Sequence, residues 1–491
     1  MEFVTPTINI LIVLPVLLVA GGGALLMLLE LFMAEERVKQ WAPTLAIIVL
    51  ALAFLQTVGL WGQTHTTFTP EGGSPMVILD NFATFLNVIF LLTGFFTVLI
   101  SVNYLPRVGL NRSEYYMLML FSLSGMMLMG MANDLILVFL ALEVLSIPLY
   151  ILAGLSRPRP ESEESAMKYF FLGAFSSAIF VFGIALTYGA TGSTALPAVL
   201  AGVSNGGALA LAGVAMMLVG FGFKVAAAPF HMWTPDVYEG APTVVTAFMS
   251  VGAKVGGFAA MLRVFVSAFG SLGQTWVPAV AVIAAITLII GNVVAIVQPN
   301  IKRMLAYSSI AHAGYILMAV AASVNSPDGV SAALFYMFAY LFTNLGAFAI
   351  AIAAERKLGE GVMLDDYKGL AKRSPLLALA MAYFMLSLTG IPPTGGFSGK
   401  FFVFRATLEA GLVWLAVVGV ITSVVSGYYY LRVVYLMYMY DGEGELHTKP
   451  ALLTAVALTV LATLVLGLLP GAWYEITKQA ALQGLQVLAG G

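Results

Sequence analysis

Apolar stretches of about twenty residues follow one another along almost the whole chain, and the connectors between them are too short to fold by themselves. This pattern leaves few folds open. A bilayer core about 30 Å thick takes roughly 20 residues of α-helix to cross, and a helix satisfies its own backbone polar groups in lipid. Spans are expected at residues 8–33, 41–60, 79–104, 114–131, 133–156, 163–190, 207–230, 241–270, 276–298, 303–324, 329–354, 375–408, 411–440 and 450–470. With 60% hydrophobic and 9% charged residues, the chain is far from the soluble balance, in which roughly a quarter of residues are charged. The expected fold is an all-α integral membrane protein of about fourteen transmembrane helices.

Composition excludes several functions. A formal net charge of −2 provides no polybasic surface, so nucleic acid is not an expected partner. The chain has no cysteine, which rules out thiolate-held iron–sulfur clusters and disulfides. The apolar run from about Ile8 to Met33 is longer than a signal-peptide core of roughly 7–15 residues and reads as a retained first span.

Basic residues alternate between connectors. Arg37 and Lys39, Arg107 and Arg112, Arg157 and Arg159, Lys302 and Arg303, the Arg356–Arg373 cluster and Lys449 lie in every second one, and the opposite connectors carry none. The asymmetry puts those connectors, and the His231–Pro242 segment, in the cytoplasm and both termini on the other side. A single transmembrane domain is expected, with a three-helix segment (1–113), a first five-helix block (114–270), a second (276–440) and a final helix with its tail (450–491). An odd number of spans makes the second block enter the membrane upside down, which is the geometry of an inverted repeat. The fourth helix of each block is interrupted by proline, at Ala228-Pro229-Phe230 and within Thr389–Phe397. Proline removes a backbone donor, so each freed carbonyl needs a polar lining or water. Two matching breaks suggest two half-channels.

Single charges stand inside these apolar runs: Glu143, Lys168, Lys224, Lys254 and Lys400. A charge at the bilayer centre costs about 2.5–3.5 kcal/mol on insertion scales, so partners or water must accompany each. Burial lowers the proton affinity of a lysine and a carboxylate neighbour restores it, so a lysine whose partner moves can load and release protons. The competing reading makes Glu143 and Lys224 a static ion pair and Lys254 a donor to carbonyls. A static bundle gains little from a whole row of buried charges, so the row points to a proton relay. Arg263, Arg405 and Arg432 lie nearer span ends, where long side chains are expected to reach the interface. Lys254 is expected within an uninterrupted helix, flanked by Gly252, Gly256 and Gly257 for close packing.

His312 occupies, in the second block, the helix that carries Glu143 in the first, and its pKa range suits proton transfer. His231 reads as a structural residue at the rim. The four histidines show no metal or haem spacing. Gly395-Gly-Phe-Ser-Gly-Lys400 looks like a phosphate loop, but Thr394 replaces the glycine that motif needs and Phe401 follows the lysine.

The stretches Leu142–Tyr150, Glu164–Phe170, Pro229–Pro242, Met304–His312 and Gly390–Lys400 give the chain a strong resemblance, over nearly its whole length, to the antiporter-like membrane subunits of respiratory complex I, and among them to the subunit N branch. One sister branch looks different in carrying glutamate where Lys400 stands, and another in a long lateral C-terminal helix. The resemblance implies that Glu143, Lys224, Lys254 and Lys400 are relay residues, with Lys168 and His312 as accessory members. It implies a multi-pass protein of the inner membrane that binds no cofactor itself, with NADH, FMN, iron–sulfur clusters and quinone handled by partner subunits. Sister antiporter-like subunits would be its neighbours. The alternative is a subunit of a multisubunit sodium–proton antiporter, because related helices serve both; a purely structural scaffold is a third reading.

Overall fold

The computed structural model describes residues 6–71 and 73–482; the two extremities of the expected first and last segments lie outside the described residues. The N-terminal group is α1 (Ile10–Phe32), α2 (Glu35–Gly59) and α3 (Asn81–Ser101), which continues into the short α4 (Tyr104–Arg107). Then come α5 (Ser113–Met131), α6 (Leu135–Ala153), α7 (Pro160–Thr191), α8 (Leu196–Gly202), α9 (Gly207–Lys224), α10 (Trp233–Gly240), α11 (Thr243–Phe248) and α12 (Lys254–Ser267). The next group is α13 (Gly273–Ala295), α14 (Ile301–Ala322), α15 (Gly329–Ala354), α16 (Leu370–Arg373), α17 (Pro375–Thr389), α18 (Gly395–Glu409) and α19 (Val413–Met439). α20 (Pro450–Leu468) and α21 (Pro470–Ala480) end the described chain.

Among the described residues, 12 helices are long and apolar enough to cross a membrane. The expected set of fourteen also includes α5 and the broken pair α17 and α18, which fall outside that measure of length and apolarity. Several helices begin where a short polar side chain takes up free backbone N–H groups. Asp80, Asp134, Asn300 and Thr394 cap α3, α6, α14 and α18 in this way. One departure from an all-α fold is an antiparallel ribbon, His65–Thr67 with Val77–Leu79, in the connector between α2 and α3. Outside the helices the backbone finds its partners in a strand pair instead.

The first interruption begins earlier than the proline suggests. α9 stops at Lys224, and Ala226 takes a left-handed conformation (φ 60°), which no α-helix can accommodate. Neighbouring side chains collect the groups the break frees: Trp233 Nε1 donates to the Phe223 carbonyl at 3.1 Å, and the Ala228 N–H donates to Thr287 Oγ1 at 2.9 Å. In the second break, Gly390 ends α17 at φ 90°, a conformation that favours glycine, and Ser387 Oγ accepts from the Gly396 N–H at 3.1 Å.

Lys254 does not sit in an uninterrupted helix. A π-helical turn, Met249–Ala253, joins α11 to α12 immediately before it. Such a turn leaves the regular hydrogen-bond ladder and re-aims the side chains that follow. Residues 243–266 and helix α15 are buried throughout, so the lysine lies in the innermost layer of the protein. α5 packs on α6 and α12, and α13 packs on α14 and α19. α10 crosses between the two groups to lie against α14.

Candidate functional site

The expected row of charges is assembled from α6, α9, α12, α14 and α18. Lys224, Lys254 and Lys400 are 4%, 3% and 3% exposed. Among the described residues none of the three has a carboxylate within ion-pairing reach. Each instead donates to hydroxyls or carbonyls.

In the first block, Lys224 Nζ donates to Ser146 Oγ at 2.7 Å, and Ser146 donates in turn to the Leu142 carbonyl. Glu143, half-buried, accepts from Ser177 Oγ of α7 at 2.6 Å. Glu143 and Lys224 therefore do not form the static ion pair of the competing reading; each is held by its own hydroxyl, Ser177 of α7 and Ser146 of α6. Leu142, Ser146, Ser177 and Lys224 line a cavity of about 10 Å³, on the order of the room one water needs.

Lys224 lies against α12. A side chain at Gly257 would come within 3.2 Å of Lys224 Cγ, so the glycine makes room for the lysine one turn from Lys254. Lys254 Nζ donates to both the carbonyl and the hydroxyl of Ser309 on α14. Lys254 makes no hydrogen bond to His312. His312 Nδ1 is 2.6 Å from Tyr336 Oη and its Nε2 is 3.1 Å from Tyr430 Oη, while Tyr430 also bonds Ser308. Histidine and lysine are linked through one polar turn of α14, Ser308-Ser309.

Beyond the second break, Lys400 Nζ donates to the Thr389 carbonyl and to Ser423 Oγ, both at 2.8 Å. It also lies 4.7 Å from the centre of the Tyr315 ring. A second cavity of about 10 Å³ is lined by His312, Tyr336, Tyr340, Thr343, Ser387 and Gly399. One small polar cavity therefore borders each break.

Two charges go elsewhere. Lys168 pairs with Glu164 at 2.6 Å and Asp236 at 2.7 Å, and Arg303 joins Asp236 at 2.7 Å and Glu239 at 2.8 Å. It belongs to an exposed ionic cluster rather than to the buried row, because the Glu164 spacing and α10 supply partners outside the interior. Arg263 does not reach for the interface either. It is 3% exposed, holds Asp80 through both terminal nitrogens at 2.6 and 2.9 Å, and donates to the Gly130 carbonyl at 2.7 Å. Arg405 fits its expected place, half-exposed beside Glu409 at 2.8 Å. The groups not foreseen are hydroxyls: Ser146, Ser177, Ser309, Tyr336, Ser423 and Tyr430. The adjacent Ser308-Ser309 pair in an apolar helix was the signal available for some of them.

The buried row is thus a series of separate polar clusters, around Glu143, Lys224, Lys254, His312 and Lys400, with apolar packing between them. Residues 132–426 match the NADH:quinone oxidoreductase/Mrp antiporter transmembrane family. The NADH-quinone oxidoreductase subunit N of Chloroflexus aggregans is 46% identical, over 97% of this chain and 98% of that protein. The subunit N of Trichlorobacter lovleyi is 45% identical, over 96% and 97%. A chain of respiratory complex I from Thermus thermophilus with bound aureothin is 35% identical, with a TM-score of 0.80 over 94% of this chain and 98% of that one. A chain of the Mrp complex from Dietzia sp. DQ12-45-1b has a TM-score of 0.86 but 22% identity, a likeness of fold alone. Fold does not separate complex I from the antiporters; identity along the full length does, and the chain belongs to the subunit N family of NADH-quinone oxidoreductases.

Proposed function

We propose that the chain is a proton-translocating, non-redox membrane subunit of complex I, in which Glu143, Lys224, Lys254 and Lys400 relay protons with His312 as an accessory member. The observation that carries this reading is three buried lysines whose described partners are hydroxyls and carbonyls. A lysine held by neutral acceptors has no fixed counter-charge, so it can take up or release a proton without breaking an ion pair. Lys168, held in its ionic cluster, has at most a role at the rim.

The two blocks are read as inverted repeats bounded near 114–270 and 276–440, preceded by the three-helix segment and followed by the last helix. Corresponding helices making corresponding contacts, α5 on α6 and α12, α13 on α14 and α19, support the reading. With the basic connectors in the cytoplasm, the first half-channel takes up protons there, Lys254 is central, and Lys400 lies toward the periplasmic outlet. Both termini are then periplasmic. NADH, FMN, iron–sulfur clusters and quinone belong to partner subunits, and electron transfer there biases the relay. Sister antiporter-like subunits are the neighbours in the membrane.

Purification from native membranes in mild detergent tests the assignment. Co-isolation with flavin- and iron–sulfur-containing proteins is expected. Isolation with small antiporter partners alone would transfer the protein to the sodium–proton class.

A further inference from the structure

On the face with the basic connectors, α7, α10 and α14 enclose a polar vestibule of about 470 Å³, lined by Glu164, Asp236, Glu239, Lys302 and Arg303 among others. Most of these residues are partly exposed and paired with one another. Lys302 differs. It is 2% exposed, and its Nζ donates to the carbonyls of Glu239 at 2.8 Å and Ala241 at 2.6 Å. Among the described residues it has no carboxylate within ion-pairing reach, although Glu239 and Asp236 line the same vestibule and the buried Glu355 lies beyond it.

Lys302 and Ser309 stand seven positions apart on α14, which places them on one face, about 10 Å apart along the axis. Ser309 is the acceptor of Lys254. Between them on that face stands Ala306, the smallest side chain that position can carry short of glycine. Tyr238, buried on α10, brings its hydroxyl toward Ser309 from the side. α10 thus presents acidic side chains to the vestibule and a phenol to the interior.

We propose that Lys302 is a proton-collecting residue, and that this vestibule is an inlet that serves Lys254 along α14 without passing through Lys224. The inference rests on the relay reading of Lys254. The neutral amine of Lys302 takes a proton from vestibule water, becoming an ammonium. It then returns to the neutral amine by giving the proton to water that enters along this face of α14, which passes it, beside the Tyr238 hydroxyl, to the neutral amine of Lys254. At the mouth Glu161, Glu164, Asp236 and Glu239 stand against Arg159, Arg303 and the adjacent Lys168, so carboxylates outnumber cations by one and favour the first step only slightly.

A static role for Lys302 is also open on chemical grounds, since its two acceptors lie at the C-terminal end of α10, where a cation is favoured. Arginine separates the roles, because it keeps charge and donors but does not deprotonate. In the intact complex reconstituted in vesicles, proton uptake per electron would be measured for Lys302→Arg, Lys254→Arg and the double variant. For sites in series, each single variant lowers uptake to the same level and the double variant falls no further. Normal uptake in Lys302→Arg with loss in Lys254→Arg overturns the inlet and leaves the relay standing. Normal uptake in Lys254→Arg removes the relay itself. Should Lys302→Arg fail to assemble, Tyr238→Phe carries the test: slowed uptake with normal assembly supports the path, and unchanged uptake overturns it.

Discussion

Lys224 gives its Nζ to Ser146 Oγ at 2.7 Å, one helical turn beyond Glu143 on the same helix. The hydroxyl stands where a static ion pair would place the carboxylate, so charge on Glu143 is felt by Lys224 through a polar turn rather than through an ion pair. Ser146→Ala removes the acceptor and leaves a buried ammonium short of a partner, at a cost of about 1–3 kcal/mol. Proton uptake should fall, with the complex still assembled. Ser146→Thr keeps the hydroxyl and should keep most of the activity. Glu143→Gln preserves shape and removes charge, and it should disable translocation. Normal uptake in reconstituted vesicles bearing Glu143→Gln would refute the coupling.

The spans and both breaks were legible in the sequence because length, apolarity and proline act locally. The partners of the buried charges were not. The Thr243–Ser267 segment and α15 are apolar all round, so periodicity does not say which side faces a neighbouring hydroxyl. Asp80 and Arg263 are 183 positions apart, and no local pattern connects them. Lys168 did carry a readable warning, since Glu164 precedes it by one turn and such pairs form on an exposed helix face. The early end of α9 depends on the conformation of Ala226, for which alanine gives no signal.

Asp236 offers a prediction outside the spans. Partial burial pushes its carboxyl up, but hydrogen bonds from Lys168 and Arg303 outweigh burial and hold it below the usual carboxylate range. A depressed value means that its contribution to stability is fully present at neutral pH and is lost as pH falls through the folded value. The loss should begin below about pH 4, the ordinary range of aspartate. Thermal unfolding in detergent between about pH 6 and pH 3 should show this acid-side decline, and Asp236→Asn should make it shallower. An equal decline in both proteins would assign the acid sensitivity to other groups.

The Asp80–Arg263 pair should matter for folding and not for transport. Its bidentate geometry joins the start of α3 to α12, and Asp80 also caps α3 by accepting from the Ala83 N–H at 2.8 Å. Removing the Asp80 charge leaves the buried guanidinium without its counter-charge, a loss of about 3–5 kcal/mol, and removing Arg263 leaves a partly exposed carboxylate at smaller cost. Arg263→Met and Asp80→Asn are each expected to lower assembly yield and unfolding temperature. The double variant should recover part of the loss, and the complex that does assemble should pump normally. A pumping defect in well-assembled Arg263→Met would instead place the arginine in the relay.

Two readings of Lys400, proton carrier and closure of a helix end, are not separated by any single substitution. The Lys400 ammonium closes the open end of α17 by donating to the Thr389 carbonyl, and Ser423 Oγ donates to the same carbonyl at 3.2 Å. Gly390 is part of the arrangement, because a side chain there would lie 2.8 Å from Lys400 Cδ. In Lys400→Ala the Thr389 carbonyl keeps Ser423 as its donor, so the break should weaken by about 1 kcal/mol, the net worth of one hydrogen bond, and the complex should assemble. Lys400→Arg can keep donors toward Thr389 and Ser423 and retains the charge, but it does not release a proton at accessible pH. If Lys400 carries protons to the outlet, both variants lose pumping while flavin and iron–sulfur partners still co-purify. If Lys400 serves only to close the helix end, the arginine variant pumps normally and the alanine variant shows only a lowered unfolding temperature. Proton uptake in reconstituted vesicles, measured beside thermal unfolding of the same preparations, distinguishes the two outcomes.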